Sequence, residues 1–275
     1  MEIETIEMGE KKARFVIRDT SPAMANALRR ALVNKVPKMA IDTVEFHLGS
    51  MRDEEGKEYE SKTPLFDEII AHRLGLLPVP TDLSLYTYKD KCVCGGEGCP
   101  NCTIIYSLVK SGPCTVLSSD MVPLGDPNLA ICDPDIPILE LGDGQSVMIY
   151  AHAVLGTAEN HAKWQAASGV GYKYMPVITV KSSKRAQEIA DSCPRGVFTV
   201  SASGDLGVEK PLDCMLCDSC VEVDGGESVE VVGDETSFVF SFETDGSLSA
   251  ETMILKACEV ISEGAKAFSE SVDAL

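Results

Sequence analysis

The sequence predicts an α+β protein whose two ends build one unit, with a mostly β segment placed between them. Three observations predict it. A strand followed by a helix opens the chain, a strand followed by a longer helix closes it, and the middle is rich in strand and turn signals.

The opening strand is Ala13 to Ile17, carried by Phe15, Val16 and Ile17. Ser21 then caps a helix, and Pro22 suits its first turn, where no amide donor is needed. From Pro22 to Asn34, Met24, Ala27, Leu28, Ala31 and Leu32 fall on one side, and Pro37 stops the helix. The stripe Leu28, Ala31 and Leu32 is expected to pack on a partner chain.

The middle runs from about Asp42 to Trp164. Pro113, Pro123, Pro127, Pro134 and Pro137 punctuate it, so its strands are expected to be short or at edges. Ser146 to Leu155 is its clearest strand. In the segment AHRLGLLP, Gly75 ends a helical turn and Pro78 prevents its continuation.

At the far end, Phe238, Phe240 and Phe242 alternate on one face of a strand. Ser247 or Ser249 then caps a helix from Ala250 to about Val272. Ile254, Cys258, Ile261, Ala265 and Phe268 recur on it at steps of 4, 3, 4 and 3. Two readings stand: the helix lies on its own sheet, or it also packs on a partner, with Cys258 and Ala265 small enough for close approach.

Composition narrows the function. With 275 residues, the chain suits two domains or one with insertions, and 44% apolar residues supply a core. Lys and Arg number 24 against 43 Asp and Glu, a net charge of −19. Such a chain is poorly suited to gripping a phosphate backbone, which depends on Lys and Arg. Between Asp205 and Asp245 twelve acidic residues face one basic residue, Lys210, the pattern of solvated loops. No run of 18 apolar residues and no signal-peptide h-region occurs, so a cytoplasmic location without membrane contact is expected. The sequence has no G-x-S-x-G, no phosphate-binding GKS/T loop and no G-x-G-x-x-G after a strand. His47, His72, His152 and His161 have no ligand spacing to one another, and no catalytic apparatus emerges.

The eleven cysteines carry the chemistry. Cys214, Cys217 and Cys220 form C-x2-C-x2-C, and Cys193-Pro194 lies upstream. One cluster of a two-cluster ferredoxin takes its ligands this way, three from one half and a Cys-Pro from the other. Ligands for a second cluster would fall at Ser183, Ala186, Ile189 and Asp224, none of them Cys. The spacing predicts one 4Fe–4S cluster on Cys193, Cys214, Cys217 and Cys220, with zinc as the competing ion. Cys92, Cys94, Cys99 and Cys102 form C-x-C-x4-C-x2-C, interleaved with Gly95, Gly96 and Gly98, and fit a closed structural site for zinc or another metal, the alternative being a reduced, metal-free loop. Cys114, Cys132 and Cys258 lack partners in sequence and are expected to be buried thiols.

AMANALRRALVNKVPKMAIDTVEF (Ala23 to Phe46) and FDEIIAHRLGLLPVP (Phe66 to Pro80) resemble the D subunit of archaeal RNA polymerase. HAKWQAASGVGYKYMP (His161 to Pro176) and the C-terminal helix extend the resemblance over nearly the whole chain. That family is similar to the third-largest subunit of eukaryotic RNA polymerase II and to the N-terminal domain of the bacterial alpha subunit. The resemblance implies a dimerisation domain split between residues 1–42 and 225–275, an inserted mostly β domain at 43–172, and a small ferredoxin-like domain at 173–224. It implies a heterodimer with the small subunit L, onto which subunit N and the second-largest subunit assemble. His72 and Arg73 are expected to face a large subunit, because their segment has little role in a self-contained core; the alternative is a capped helix end whose charges are simply solvated. DNA is then met only through the complex. The eukaryotic zinc loop reads C-x-C-x3-C-x2-C, so the loop here is one residue wider.

The leading expectation is thus a non-catalytic assembly subunit of a nucleotidyltransferase. A stand-alone ferredoxin-type electron carrier explains the Cys214 loop but neither the N-terminal helix nor AHRLGLLP. A zinc-dependent regulator is disfavoured by the charge and by the lack of a basic helix.

Overall fold

A computed structural model describes residues 1–52 and 58–274. It is mixed α and β. In chain order come β1 (Glu2–Met8), β2 (Lys12–Arg18), α1 (Pro22–Arg30), β3 (Lys38–Phe46), β4 (Ser50–Arg52) and β5 (Glu58–Ser61). Then follow α2 (Asp67–Gly75), β6 (Thr103–Ser111), β7 (Cys114–Leu117), β8 (Val122–Pro123), β9 (Pro137–Leu141) and β10 (Gln145–Gly156). The last stretch holds β11 (Ala167–Val180), α3 (Ala186–Ser192), β12 (Phe198–Val200), β13 (Leu206–Val208), α4 (Ser219–Asp224), β14 (Val229–Thr244) and α5 (Ala250–Asp273). Two compact units result. One holds Met1–Met8, Ala13–Arg29 and Gly169–Phe242; the other holds Gly9–Lys12, Arg30–Ser168 and the chain from Glu243 onward.

The first unit contains a sheet in the order β1-β2-β14-β11. Strands from opposite ends of the sequence, β2 and β14, are therefore neighbours. Phe238, Phe240 and Phe242 are almost fully enclosed on one face of β14, and Ser237 and Val239 on the other face are buried as well. Phe15 stacks on Phe240 with ring centroids 5.3 Å apart, and Tyr172 stacks on Phe240 at 5.9 Å and meets Phe238 edge-on at 5.6 Å. Gly233 is required where β14 passes Tyr174: a Cβ there would lie 2.8 Å from the Tyr174 Cβ. β1 was not legible in the sequence. Its EIETIEM pattern is exposed along its whole length and, among the described residues, pairs only with β2. Beyond the sheet, α3, the β12–β13 hairpin and α4 enclose a small core of Ala186, Ile189, Val197, Phe198, Leu206, Cys214, Cys220 and Val229.

The second unit is organised by β10. It pairs antiparallel with β3 and β6 and touches β5 in parallel, within a sheet ordered β4-β5-β10-β6-β8. The expected Ser146 to Leu155 strand is this one. Its inward side chains Val147, Ile149, Ala151 and Ala153 join Met39, Ile41, Leu108 and Tyr106 in the core. α2 adds Ile70 and Leu74 to that core. Gly75 does not act as a left-handed cap. The helix end lies against β3, where a Cβ at Gly75 would meet the Ile41 carbonyl oxygen at an ordinary contact distance of 3.5 Å. Lys38 is buried and ion-paired with Asp245.

α1 begins as expected, with Ser21 Oγ accepting from the Met24 amide at 3.4 Å. It ends by loosening into a π-helical turn, Ala31–Lys35, closed by Val36 N–H donating to the Ala31 carbonyl at 3.2 Å. The expectation that Leu28, Ala31 and Leu32 face a partner is corrected: all three are buried within this chain. An apolar stripe specifies burial but not the surface that provides it. Among the described residues no helix is long and apolar enough to cross a membrane.

Candidate metal centres and pairing surface

The first cysteine set lies between a 3-10 turn at Lys89–Lys91 and the start of β6. The chain reverses tightly there, with Gly95, Gly96 and Gly98 at φ of 67°, 88° and 103°, which glycine adopts at little cost. Cys102 N–H donates to the Cys99 carbonyl at 2.9 Å, and Cys99 N–H donates to Cys102 Sγ at 3.3 Å. The four ligand sulfurs all lie within 4.8 Å of one another. The pairs Cys92–Cys99, Cys94–Cys102 and Cys99–Cys102 are 3.6, 3.7 and 3.9 Å apart. A tetrahedral ion with metal–sulfur bonds of about 2.3 Å sets neighbouring sulfurs about 3.8 Å apart. The four cysteines thus fit a single metal ion.

Crowding splits the thiols. The Gly98 N–H, opposed by burial, draws Cys94 down to about 6. Cys92 has the Cys94 N–H in its favour, yet burial and the sulfurs of Cys94, Cys99 and Cys102 push it up to about 12. Four thiolates this close repel unless a cation sits between them, so the donor set calls for one.

The second set occupies the small core of the first unit. Cys214 and Cys220 are buried in it, Cys193 packs against it and Cys217 is exposed. Burial raises the Cys220 thiol, and the charges of Cys193 and Cys214 raise it further. The Ser219 hydroxyl, then its N–H, lowers Cys217. Leu216 and Asp218 are left-handed, at φ of 56° and 59°, a conformation costing non-glycine residues on the order of 1–2 kcal/mol each. Something must hold such a loop in place. The Val197 N–H points at Cys193 Sγ and the Leu216 N–H at Cys214 Sγ, each at 3.5 Å. The thiol chemistry, the wound loop and these N–H donors fit an iron–sulfur cluster, whose potential such donors tune. Among the described residues only the Cys92 set gathers its ligand atoms within 4.8 Å of one another; a cubane, which spreads its four thiolates over separate irons, does not require that closeness. Of the positions a second cluster would need, Ala186 and Ile189 are buried in packing. Asp224 is buried too, accepting from the Val229 N–H at 2.8 Å and from the Ser228 hydroxyl.

Sequence reasoning missed two residues. Arg14 on β2 donates to the Leu212 carbonyl at 2.7 Å and pairs with Asp213 at 2.9 Å. Lys173 on β11 donates to the carbonyls of Leu212 and Cys214, at 2.7 and 2.5 Å. Nothing local in the sequence signals either contact. Of the remaining cysteines, Cys114 and Cys132 are half-buried, but Cys258 is exposed on α5, against expectation. Arg73 donates to the Ile138 carbonyl at 2.6 Å, and His72 is exposed beside it.

α5 is capped by Ser249, whose Oγ accepts from the Thr252 N–H at 3.2 Å. Ala250, Met253 and Ala257 are buried. From residue 262 to 274 every residue is exposed, although Ala265, Phe268 and Val272 continue the apolar stripe. Phe268 is 73% and Val272 49% exposed.

Residues 14–265 match the RNA polymerase Rpb3/Rpb11 dimerisation domain. The chain belongs to this family. Its similarity to curated members of the Rpb3/Rpb11 family spans almost the whole length. It is 45% identical to DNA-directed RNA polymerase subunit Rpo3 of Thermoplasma volcanium, over 91% of this chain and 92% of that one. Against the subunits of the same name from Picrophilus torridus and Methanosarcina acetivorans it is 40% and 38% identical, covering 90% and 95% of this chain and 91% and 94% of theirs.

Proposed function

We propose that this chain is the non-catalytic assembly subunit of a DNA-dependent RNA polymerase, pairing with the small subunit L and offering that pair to subunit N and the second-largest subunit. The observation that carries the reading is the bare apolar end of α5. A helix that keeps its apolar period while every residue is exposed is half of an interface. Family membership supplies the context, and the relatives' shared name, subunit Rpo3 of DNA-directed RNA polymerase, points the same way. In this reading residues 1–42 and 225–275 form the dimerisation domain, 43–172 its insert and 173–224 a ferredoxin-like domain.

Nucleotidyl transfer by two metal ions belongs to the large subunits. Among the described residues the one group of three or more His, Cys, Asp or Glu able to hold an ion is the four-thiol set, which suits a structural ion and leaves no open position for substrate. We assign zinc to Cys92, Cys94, Cys99 and Cys102, and one 4Fe–4S cluster to Cys193, Cys214, Cys217 and Cys220. When bound, zinc braces the loop before β6, and the cluster staples a small core that lacks apolar bulk of its own. The net charge of −19 suits a subunit that meets basic partner surfaces and reaches DNA only through the complex, in the cytoplasm.

Co-expression with subunit L and recovery of the tagged chain tests this. Recovery of L and then of the second-largest subunit is the expected result. Recovery of redox enzymes without polymerase subunits would instead favour an electron carrier.

A further inference from the structure

We infer that Lys173 and Arg14 are positioning residues for the iron–sulfur cluster: two cations that hold the Cys214 loop in its ligating shape and balance the cluster's charge. The inference rests on the cluster reading above and adds residues outside its ligand set.

The geometry is a double clamp on three consecutive residues. The Leu212 carbonyl accepts from Arg14 and from Lys173, both at 2.7 Å. The Asp213 carboxylate pairs with Arg14 at 2.9 Å, and the Cys214 carbonyl accepts from Lys173 at 2.5 Å. The clamp ends where ligation begins. Immediately beyond it the backbone turns left-handed at Leu216 and Asp218 to bring Cys217 and Cys220 round. The two cations come from β2 and β11, which flank β14 in the sheet of the first unit. A rigid sheet therefore presents them.

Carbonyl oxygens need only a hydrogen bond, which a neutral donor supplies. Arg14 is paired with Asp213, but among the described residues Lys173 donates only to carbonyls, and its positive charge indicates a second task. A cubane carried on four thiolates is anionic overall and gains further negative charge on reduction. Net charge and hydrogen bonding around the sulfurs set both retention and potential. The segment bearing the C-x2-C-x2-C loop cannot supply counter-charge, since Asp205 to Asp245 contains Lys210 alone against twelve acidic residues. Arg195, two residues from Cys193, is one nearby cation, and Lys173 and Arg14 add to it from distant strands.

The test uses the full chain expressed and purified anaerobically, as wild type and as Lys173→Arg, Lys173→Gln, Lys173→Met and Arg14→Gln. Iron per chain, iron release to a chelator and the midpoint potential of the cluster are measured, with circular dichroism to check folding. Lys173→Met and Arg14→Gln should release iron roughly tenfold faster than wild type, the usual effect of losing an outer-shell partner. Their midpoint potentials should move negative, because the reduced cluster loses a stabilising cation. Lys173→Arg should restore both properties. Lys173→Gln keeps a donor without the charge, so a negative shift in a folded Lys173→Gln protein isolates the charge even where Lys173→Met unfolds. Wild-type potential and release rate in Lys173→Gln and Arg14→Gln would overturn the inference. A wild-type protein without iron would instead refute the cluster itself, and the inference with it, before any substitution is compared.

Discussion

Replacing Phe268 and Val272 together by Ser should weaken the proposed pairing with a partner subunit while leaving the chain folded. The two lie one helical turn apart on the apolar stripe of α5 and are 73% and 49% exposed. Burying a large apolar side chain stabilises by roughly 1.5–3 kcal/mol; scaled by these exposed fractions, covering both contributes about 2–4 kcal/mol to pairing. That corresponds to a Kd about 30- to 500-fold weaker, at about 1.4 kcal/mol per tenfold. Neither side chain supports the fold, so the thermal midpoint of the isolated chain should fall only slightly, as surface substitutions usually cost within about 0.5 kcal/mol each. Titration calorimetry between the chain and subunit L reads the affinity, and circular dichroism melts read the fold. A folded double variant that binds L as tightly as wild type would refute the assignment of this helix end to the interface.

Three other outcomes follow from the geometry. Leu28→Asp should unfold the protein rather than specifically block pairing, because Leu28 is buried; a folded, soluble Leu28→Asp chain contradicts this. Metal analysis should find about one zinc per chain on the Cys92 loop, and Cys102→Ser should remove it. Faster amide exchange in that variant should stay confined to residues 86–103. The third concerns acid. Hydrogen bonds from the Ser228 hydroxyl, then from its N–H, hold the Asp224 carboxyl below its usual value, with burial opposing. A carboxyl lowered on folding stabilises above its unfolded value, near 3.8, and that stabilisation is lost as the pH falls through the lower folded value. Amide exchange at residues 224–229 should therefore rise in acid in the wild type and already be raised at neutral pH in Asp224→Asn. Equal neutral-pH exchange in the two proteins would count against the argument.

The elements with strong local signals were legible. Alternating Phe238, Phe240 and Phe242 announced β14, Ser21-Pro22 announced α1, and the long apolar run announced β10. The Cys92 set was legible because its four ligands sit within eleven residues and glycines mark the turn. What stayed hidden is what the sequence leaves to tertiary context. The stripes on α1 and α5 look alike in period, yet α1 spends its stripe inside the chain and the end of α5 does not. β1 (EIETIEM) breaks its alternation at Thr5-Ile6 and buries neither face, so its pattern carried no burial signal. Lys173 and Arg14 grip the Cys214 loop from distant strands, a pairing that spacing cannot reveal.

The adjacency of β2 and β14 has a consequence for how the protein is made. Phe15 and Phe240 stack face to face yet lie about 225 positions apart in the chain. Ribosomes add about 5–20 residues per second, so β2 waits roughly 10–45 seconds for the strand that covers it. Through that interval Phe15, Val16 and Ile17 are exposed on a nascent chain whose β6 and β10 can already pair. Apolar surface left uncovered that long is prone to aggregation. Yield should respond to translation speed between residues 18 and 229 more than to codon choice elsewhere in the message.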